Sequence, residues 1–429
     1  MIKLPKEVST IIKSVENKGY ECYVVGECVR DSLLGEDPLD WDMVTNIPFE
    51  NMKELFPDAK VLSNKYSVIR FDYTNEDEDT GVIIDLSAMR KENSKDDLDD
   101  VGFVDNIEED LARRDFTINA IADNPTKAIV DLYGGREDIK KKLVRAVGDA
   151  NVKFQKEPIC MLKAIRLSAE LGFDLHKGTY EAIVNNVALL KTLGVDAIRE
   201  EFVRIIAGSH AGKGIKMLVA CGALPYIIGE EAMNSVSGRE MSDLEGLAEG
   251  IEKTQRVESR RLGLFYYCFG KKRALSAIDY LNYDEEIKQH LIDGVNLLQV
   301  IYFFGNKEEF KDFLAHYGYQ RYEYVHNLSK AYAIVYNTPT IKIKNRIHMY
   351  KEIVSNKEPI YVEDLAISAE DLVEAGITDS DGADKILILL TDIVHRKPKK
   401  NNREELLSQA KRLSKNKVAV ALRKVSWMR

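Results

Sequence analysis

The feature that most narrows the folds open to this chain is a change of hydrophobic period at Gly134-Gly135. Before it, short alternating runs interleave with helical ones; after it, 3.6-residue periodicity continues almost without interruption. Residues 4–19 carry apolar positions at helical spacing and end in Lys18-Gly19, and 20–26 (YECYVVG) read as a strand. A short helix over Cys28 to Leu34 enters directly from that strand, which puts Gly26 at a turn whose backbone amides suit a phosphate. Further strands are predicted over 39–45, 68–73 and 81–86, the last two joined by an acidic turn from Asn75 to Thr80. Beyond Gly135 the spacing predicts helices over 157–171, 179–190, 197–206, 214–221, 260–268 and 383–394. The expected fold class is therefore an α+β head with a small sheet followed by an all-α remainder. The acidic stretch Lys91 to Asp110 is the expected mobile loop of the first half.

A length of 429 residues with 45% apolar and 31% charged content calls for more than one packed unit. No run approaches the roughly 18 apolar residues of a membrane span, and the start MIKLPKEVSTIIK lacks a hydrophobic targeting core, so a cytoplasmic protein without a membrane partner is expected. The five cysteines (Cys22, Cys28, Cys160, Cys221, Cys268) are scattered, with no CxxC pair, and read as buried small hydrophobes. The seven histidines form no ligand spacing with one another. Net charge is −9, yet the segment from His395 to Arg429 carries +10, leaving −19 for the rest. A basic end on an acidic body fits a phosphate-backbone partner; a solvated tail without ligand is the competing reading.

Asp40 and Asp42 stand two apart on a predicted strand, so both carboxylates project from one face and can hold Mg²⁺, a hard cation that takes oxygen ligands. Two ions held about 3.5 to 4 Å apart stabilise the attacking and leaving oxygens of an in-line phosphoryl displacement. An isolated DxD is weak evidence, because acidic proteins contain many polar turns. Three neighbours strengthen it. Gly26 and Arg30 precede the pair at the strand-to-helix junction, although Arg30 could simply pair with Asp31 on the surface. Asp85 lies in an otherwise apolar strand, where a carboxylate either completes a metal site and accepts a proton or marks a solvent-facing edge. Arg113, Arg114, Asp115 and Asn119 gather cations for phosphates with groups for ribose hydroxyls; Asp115 and Asn119 are expected one helical turn apart, with Asp115 as a possible cap.

The ordered blocks VVGECVRDSLLG (24–35), DWD (40–42), RRDFTINA (113–120) and KEPICMLKAIRLSAELGF (156–173) resemble the bacterial-type (class II) tRNA nucleotidyltransferases and the related bacterial poly(A) polymerases. The likeness runs on through AIREEF (197–202) and NKEPIYVEDLAISAEDLVEAGI (356–377), and so covers nearly the whole chain. It implies a polymerase-β-like head at 1–150, a helical neck with a nucleotide-selecting helix at 151–215, a helical body at 216–350 and a basic, tRNA-binding tail at 351–429. It implies stepwise addition of CMP and AMP from CTP and ATP to a tRNA 3′ end without a nucleic-acid template. Asp40 and Asp42 would bind Mg²⁺, Asp85 would be the third carboxylate, and Gly26, Arg30, Arg113, Arg114, Asp115 and Asn119 would line the nucleotide, followed by Glu157, Cys160, Lys163 and Arg166 of the fourth block.

The departures from the family pattern are informative. Glu27 stands where the family has its second glycine and puts a side chain beside the expected phosphate site. Where the family's selecting helix begins Glu-Asp-x-x-Arg, this chain has Lys156-Glu157-Pro158-Ile159-Cys160. Glu157 keeps an acceptor, but the Cys160 thiol cannot replace a planar five-donor guanidinium. Lys163 is the candidate substitute cation, while Met161 and Ile165 should pack in the core. Some relatives carry a His-Asp metal motif where this chain has 265–271 (FYYCFGK), so no phosphohydrolase activity is expected there. Two alternatives to CCA addition stay open: an RNA-tailing polymerase with the same metal site, and a non-catalytic RNA-binding protein derived from the enzyme.

Overall fold

The computed structural model of the chain describes residues 2–38, 40–73, 81–91, 102–234, 236–302 and 306–415. It forms two compact units, the first running to Ser237 and including Tyr280–Asn282, the second made of Gly238–Asp279 and the chain from Tyr283 onward.

The first unit opens with α1 (Lys6–Glu16), whose Val8, Ile11, Ile12 and Val15 recur at helical spacing and are all buried. Then come β1 (Cys22–Val25), α2 (Glu27–Leu34), β2 (Asp40–Thr45), α3 (Phe49–Leu55), β3 (Lys60–Ser63), β4 (Val68–Asp72), β5 (Ile83–Ala88), α4 (Ile107–Ala112) and β6 (Ala122–Asp123). The six strands make one sheet in the order β3-β4-β5-β2-β1-β6. β2 and β5 are parallel, while β1 runs antiparallel to β2 and β4 antiparallel to β5. One face of the sheet is covered where Tyr23, Val25, Val44 and Ala122 meet Ile107 and Leu111 of α4. Side chains of that size, fully buried, each contribute about 1.5–3 kcal/mol. On β2 burial alternates over its first four residues, Trp41 and Met43 buried and Asp40 and Asp42 exposed, while Val44, on the same side as the two carboxylates, is buried beneath α4.

Helices α5 (Gly135–Lys141), α6 (Ala150–Lys156), α7 (Ile159–Leu171), α8 (Lys177–Asn186), α9 (Val195–Ala207), α10 (Ala211–Ala220), α11 (Leu224–Ile228) and α12 (Glu230–Met233) complete this unit, with a two-stranded pair, β7 (Leu143–Val144) and β8 (Asp174–Leu175), among them. α7 is the hub: Met161, Leu162, Ile165 and Leu167 are buried, which bears out the core role read for Met161 and Ile165.

The second unit is helical: α13 (Gly238–Gly250), α14 (Glu258–Tyr267), α15 (Lys271–Tyr280), α16 (Glu285–Leu297), α17 (Lys307–Val335), α18 (Ile341–Ser355), α19 (Ala369–Glu374), α20 (Ser380–Arg396) and α21 (Arg403–Ser414). α17 is broken at Gly318, whose φ of 81° leaves the helical region. Leu372, Leu387, Leu390, Val394, Leu406 and Ala410 form the core that joins the last three helices. Among the described residues no helix is long and apolar enough to cross a membrane.

Mixed sheet first and helices after is the α+β arrangement read from the periodicity. Several local expectations change. The Lys91–Asp110 stretch is not one loop: Ile107–Ala112 is helical and Asp110 is fully buried, because two arginines neutralise it. Residues 92–101 of that stretch and all of the acidic turn at 75–80 lie outside the described residues, as do Lys417, Arg423, Lys424 and Arg429 of the basic end. Strand β3 was not legible: its residues are mostly exposed, so it lacks an apolar period. All five cysteines are free and buried, as read.

Candidate active site

Strand register brings the carboxylates together. Asp40 and Asp42 project from the same side of β2, and in the parallel pairing Asp42 stands directly opposite Asp85 of β5. Asp85 is opposite Arg70 on β4, and Arg70 grips it with two nitrogens, each 2.7 Å from a carboxylate oxygen. β5 is flanked by strands on both sides, so the solvent-facing-edge reading of Asp85 is wrong; the carboxylate is tolerated in an apolar strand because a guanidinium pairs with it. Burial, then Asp40 and Asp85, push the Asp42 carboxyl up to about 6, while Arg114 pulls the other way.

Gly26 caps the start of α2 with φ 82°. That positive φ favours glycine, and a Cβ there would also crowd Arg114 Nη1 at 3.1 Å while meeting Asp42 Oδ2 at an ordinary 3.7 Å. Arg30 does pair with Asp31, at 2.8 Å, but it is buried and also donates from Nη1 to Asn119 Oδ1 at 2.9 Å. Glu27 faces the same cations: its Oε1 is 3.6 Å from Arg30, 3.9 Å from Arg166 and 3.5 Å from Asn119 Nδ2. It therefore competes for the donors that would hold an anionic ligand.

Arg113 and Arg114 are aligned by Asp110, which sequence reasoning missed. Asp110 accepts from Arg113 at 2.8 Å, from Arg114 at 3.0 Å and from the Arg90 amide at 3.1 Å. Behind them Lys153 Nζ donates to the carbonyls of both arginines at 2.9 Å. The three- and four-residue spacing of Asp110, Arg113 and Arg114 on one helical turn was the available signal. Asp115 is neither a cap nor one helical turn from Asn119. It sits in the loop before the 3₁₀ turn Thr117–Asn119, whose capping residue is Phe116.

Asp115 instead accepts from Lys163 Nζ at 3.0 Å, tying the arginine loop to α7. Burial disfavours the Lys163 charge, but Asp115 and Cys160 with Glu157 more than offset it and the ammonium is held above its ordinary range. Cys160 is buried with its Sγ 3.5 Å from Glu157 Oε2, and burial pushes the thiol well up. Arg166 is buried too, held by Glu201 at 2.8 Å and Glu170 at 2.7 Å. Among the described residues two triplets bring potential ligand atoms within 4.8 Å of one another, Asp115, Glu157 and Cys160 here, and Asp312, Asp392 and His395 in the second unit. The Asp40, Asp42 and Asp85 set is looser than these, since Asp85 is turned to Arg70. All the residues read as a site thus fall in the first unit, around the open face of β2 and β5, the start of α2, the loop at 113–119 and the start of α7.

Residues 22–145 match the poly(A) polymerase head domain, and 172–233 match a segment described as a probable RNA- and SrmB-binding site of polymerase A. The CCA-adding enzyme of Lactobacillus delbrueckii subsp. bulgaricus is 36% identical over 218 residues, 49% of this chain and 53% of that relative. The chain thus spans about half the length of such relatives in these alignments. The CCA-adding enzyme of Leuconostoc mesenteroides is 28% identical over 388 residues, covering 87% of this chain and 88% of that one. In fold, the chain is similar to the Bacillus stearothermophilus CCA-adding enzyme in complex with CTP, with TM-score 0.77 and 23% identity over 96% of this chain and 98% of that chain.

Proposed function

We infer that this chain, whose head belongs to the poly(A) polymerase head-domain family, is a template-independent nucleotidyltransferase that adds CMP and AMP from CTP and ATP to the 3′ end of tRNA. The observation that carries the reading is the direct register of Asp42 with Asp85, with Asp40 on the same face, beside an arginine pair held in place by Asp110. Neighbouring carboxylates on one face of a sheet have a physical reason to exist when a cation joins them. Asp40 and Asp42 fit Mg²⁺: they offer hard oxygen donors, and the burial and neighbouring carboxylates that push Asp42 up are what a divalent ion offsets. When bound, the ion neutralises the triphosphate and polarises the reacting phosphorus.

The protein's own groups do the rest. Arg114, beside Gly26 and Asp42, and Arg113 receive the phosphates, and the amides at the start of α2 face the same anion. Asn119, fixed by Arg30, and Asp115 address the ribose. The RNA 3′ oxygen attacks the α-phosphorus, the bond to the bridging oxygen breaks, pyrophosphate leaves and the hydroxyl proton passes to Asp85. Glu157 and Lys163 present an acceptor and a donor toward the base, with Cys160 between them and Arg166 supporting the helix. In this reading the head spans 1–150, the neck 151–215, the body 216–350 and the basic tail 351–429.

The test is incubation of the whole chain with Mg²⁺, each NTP separately, and tRNA ending either at the discriminator base or at CC. Ordered addition of C, C and A is expected. Long A tails would transfer the assignment to a tailing polymerase, and tRNA binding without incorporation would remove catalysis altogether.

A further inference from the structure

Far along the chain, the second unit holds a cluster that the reading above leaves unused. The first half of α17 carries Asp312 and His316, four residues apart, and α20 carries Asp392 and His395, three apart, so each helix presents an acid and an imidazole on one face. All four line a single cavity of about 400 Å³, and the ligand atoms of Asp312, Asp392 and His395 lie within 4.8 Å of one another.

The surroundings of His395 point to a ligand. Its ring is 1% exposed. Nε2 is 2.9 Å from the Ile360 carbonyl, which can only accept, so Nε2 carries a proton. Nδ1 then bears the lone pair of the neutral ring, and it faces a second acceptor, Asp312 Oδ1, at 2.8 Å. At that distance a proton joins the two atoms, as in an imidazole–carboxylate pair, and a metal ion would take that proton's place. A histidine that anchors one ring N–H on a backbone carbonyl and offers its other nitrogen among carboxylates has the environment of a metal ligand. Two neighbouring cations pair with other carboxylates, Lys311 with Glu358 at 2.5 Å, while also 3.4 Å from the His395 carbonyl, and Arg396 with Glu308.

We propose that Asp312, Asp392 and His395, with His316 completing the set, form a transition-metal site of the zinc class that clamps α20 to the first half of α17. Imidazole and carboxylate donors in this number suit four-coordinate Zn²⁺; on binding, the proton shared between His395 and Asp312 would be released to solvent and their side chains would have to move apart.

The experiment takes the whole chain, strips it with a chelator and titrates it with Co²⁺ as a spectroscopic stand-in for Zn²⁺. One equivalent should raise an intense visible absorption characteristic of four-coordinate Co²⁺, removed by added Zn²⁺, and Zn²⁺ should raise Tm. His395→Gln and Asp392→Asn should each weaken Co²⁺ binding by about tenfold or more and abolish the Zn²⁺ shift in Tm. Asp392→Asn keeps the buried ring and its backbone bond, so it decides the matter if His395→Gln does not fold. Absence of the absorption in the folded parent, or its retention unchanged in Asp392→Asn and His316→Gln, would overturn the assignment. A signal lost only on Asp40→Asn/Asp42→Asn would overturn it as well, by placing the cobalt in the head.

Discussion

Asp42 and Asp85 stand opposite each other in register on adjacent parallel strands, yet their carboxylates are unequal: Arg70 takes both oxygens of Asp85 at 2.7 Å, while Asp42 keeps Asp40 and Arg114 as neighbours. One acid is thereby held by the protein and the other left available to an ion.

Asp42→Asn should reduce nucleotide incorporation by at least about 10³-fold, since it removes a donor of the proposed Mg²⁺ site. In chelator the same change should leave Tm equal to or above that of the parent, because it relieves repulsion from Asp40 and Asp85. Single-turnover extension and calorimetry check the two halves; incorporation near the parent rate would end the catalytic assignment.

Arg70→Ala should lower kcat by roughly tenfold without unfolding the head, because Asp85 loses the partner that fixes its direction. Arg70→Lys should restore little, a single ammonium being unable to replace two parallel N–H donors. Steady-state kinetics with matched circular dichroism would reveal either outcome.

Asp110→Ala should cost about 3 kcal/mol of stability, because it leaves two arginines facing each other around a fully buried gap. Burial alone would raise this carboxyl, but Arg114 and Arg113 hold it below its usual range. A carboxyl depressed in the folded state stabilises above its unfolded pKa, about 4, and that stability is lost as pH falls further through the folded value. Denaturant melts should show parent and Asp110→Ala diverging above about pH 4 and converging below it.

Cys160→Arg should sharpen discrimination for CTP and ATP over UTP and GTP, and Lys163→Ala should blunt it. The first carries a stability penalty, since position 160 is fully buried. Misincorporation assays read the selectivity directly, and identical preferences in all three proteins would sink the proposed role of this helix.

Lys411, Arg412 and Lys415 are exposed on α21 and beside its end, whereas Leu406 and Ala410 of the same helix are core residues. Deleting the whole basic end would therefore damage packing along with charge. Replacing the three cations by Gln should instead flatten the salt dependence of tRNA binding by about 0.7–0.9 for each phosphate that is no longer neutralised, which filter binding at several salt concentrations measures.

The division of the chain was legible because period survives without knowledge of contacts: α1 and the alternation on β2 follow directly from spacing. Asp40 and Asp42 were legible for the same reason. Their partners were not. Arg70 meets Asp85 only through the register of two strands whose connection includes residues outside the described ones, and local sequence does not specify that register. Asp110 reads as part of a loop because six other acids precede it between 97 and 109, and its burial depends on arginines folding back over one turn. The His395 cluster was invisible because its spacing is split between helices far apart in sequence.

The bare backbone at Gly26 has a reach out of proportion to its size. A methyl group there would press on the guanidinium of Arg114, and that guanidinium shares Asp110 with Arg113. The alanine variant would thus unsettle the anion-receiving pair as a unit, and an assay of either arginine alone would report damage whose origin lies in the turn before α2.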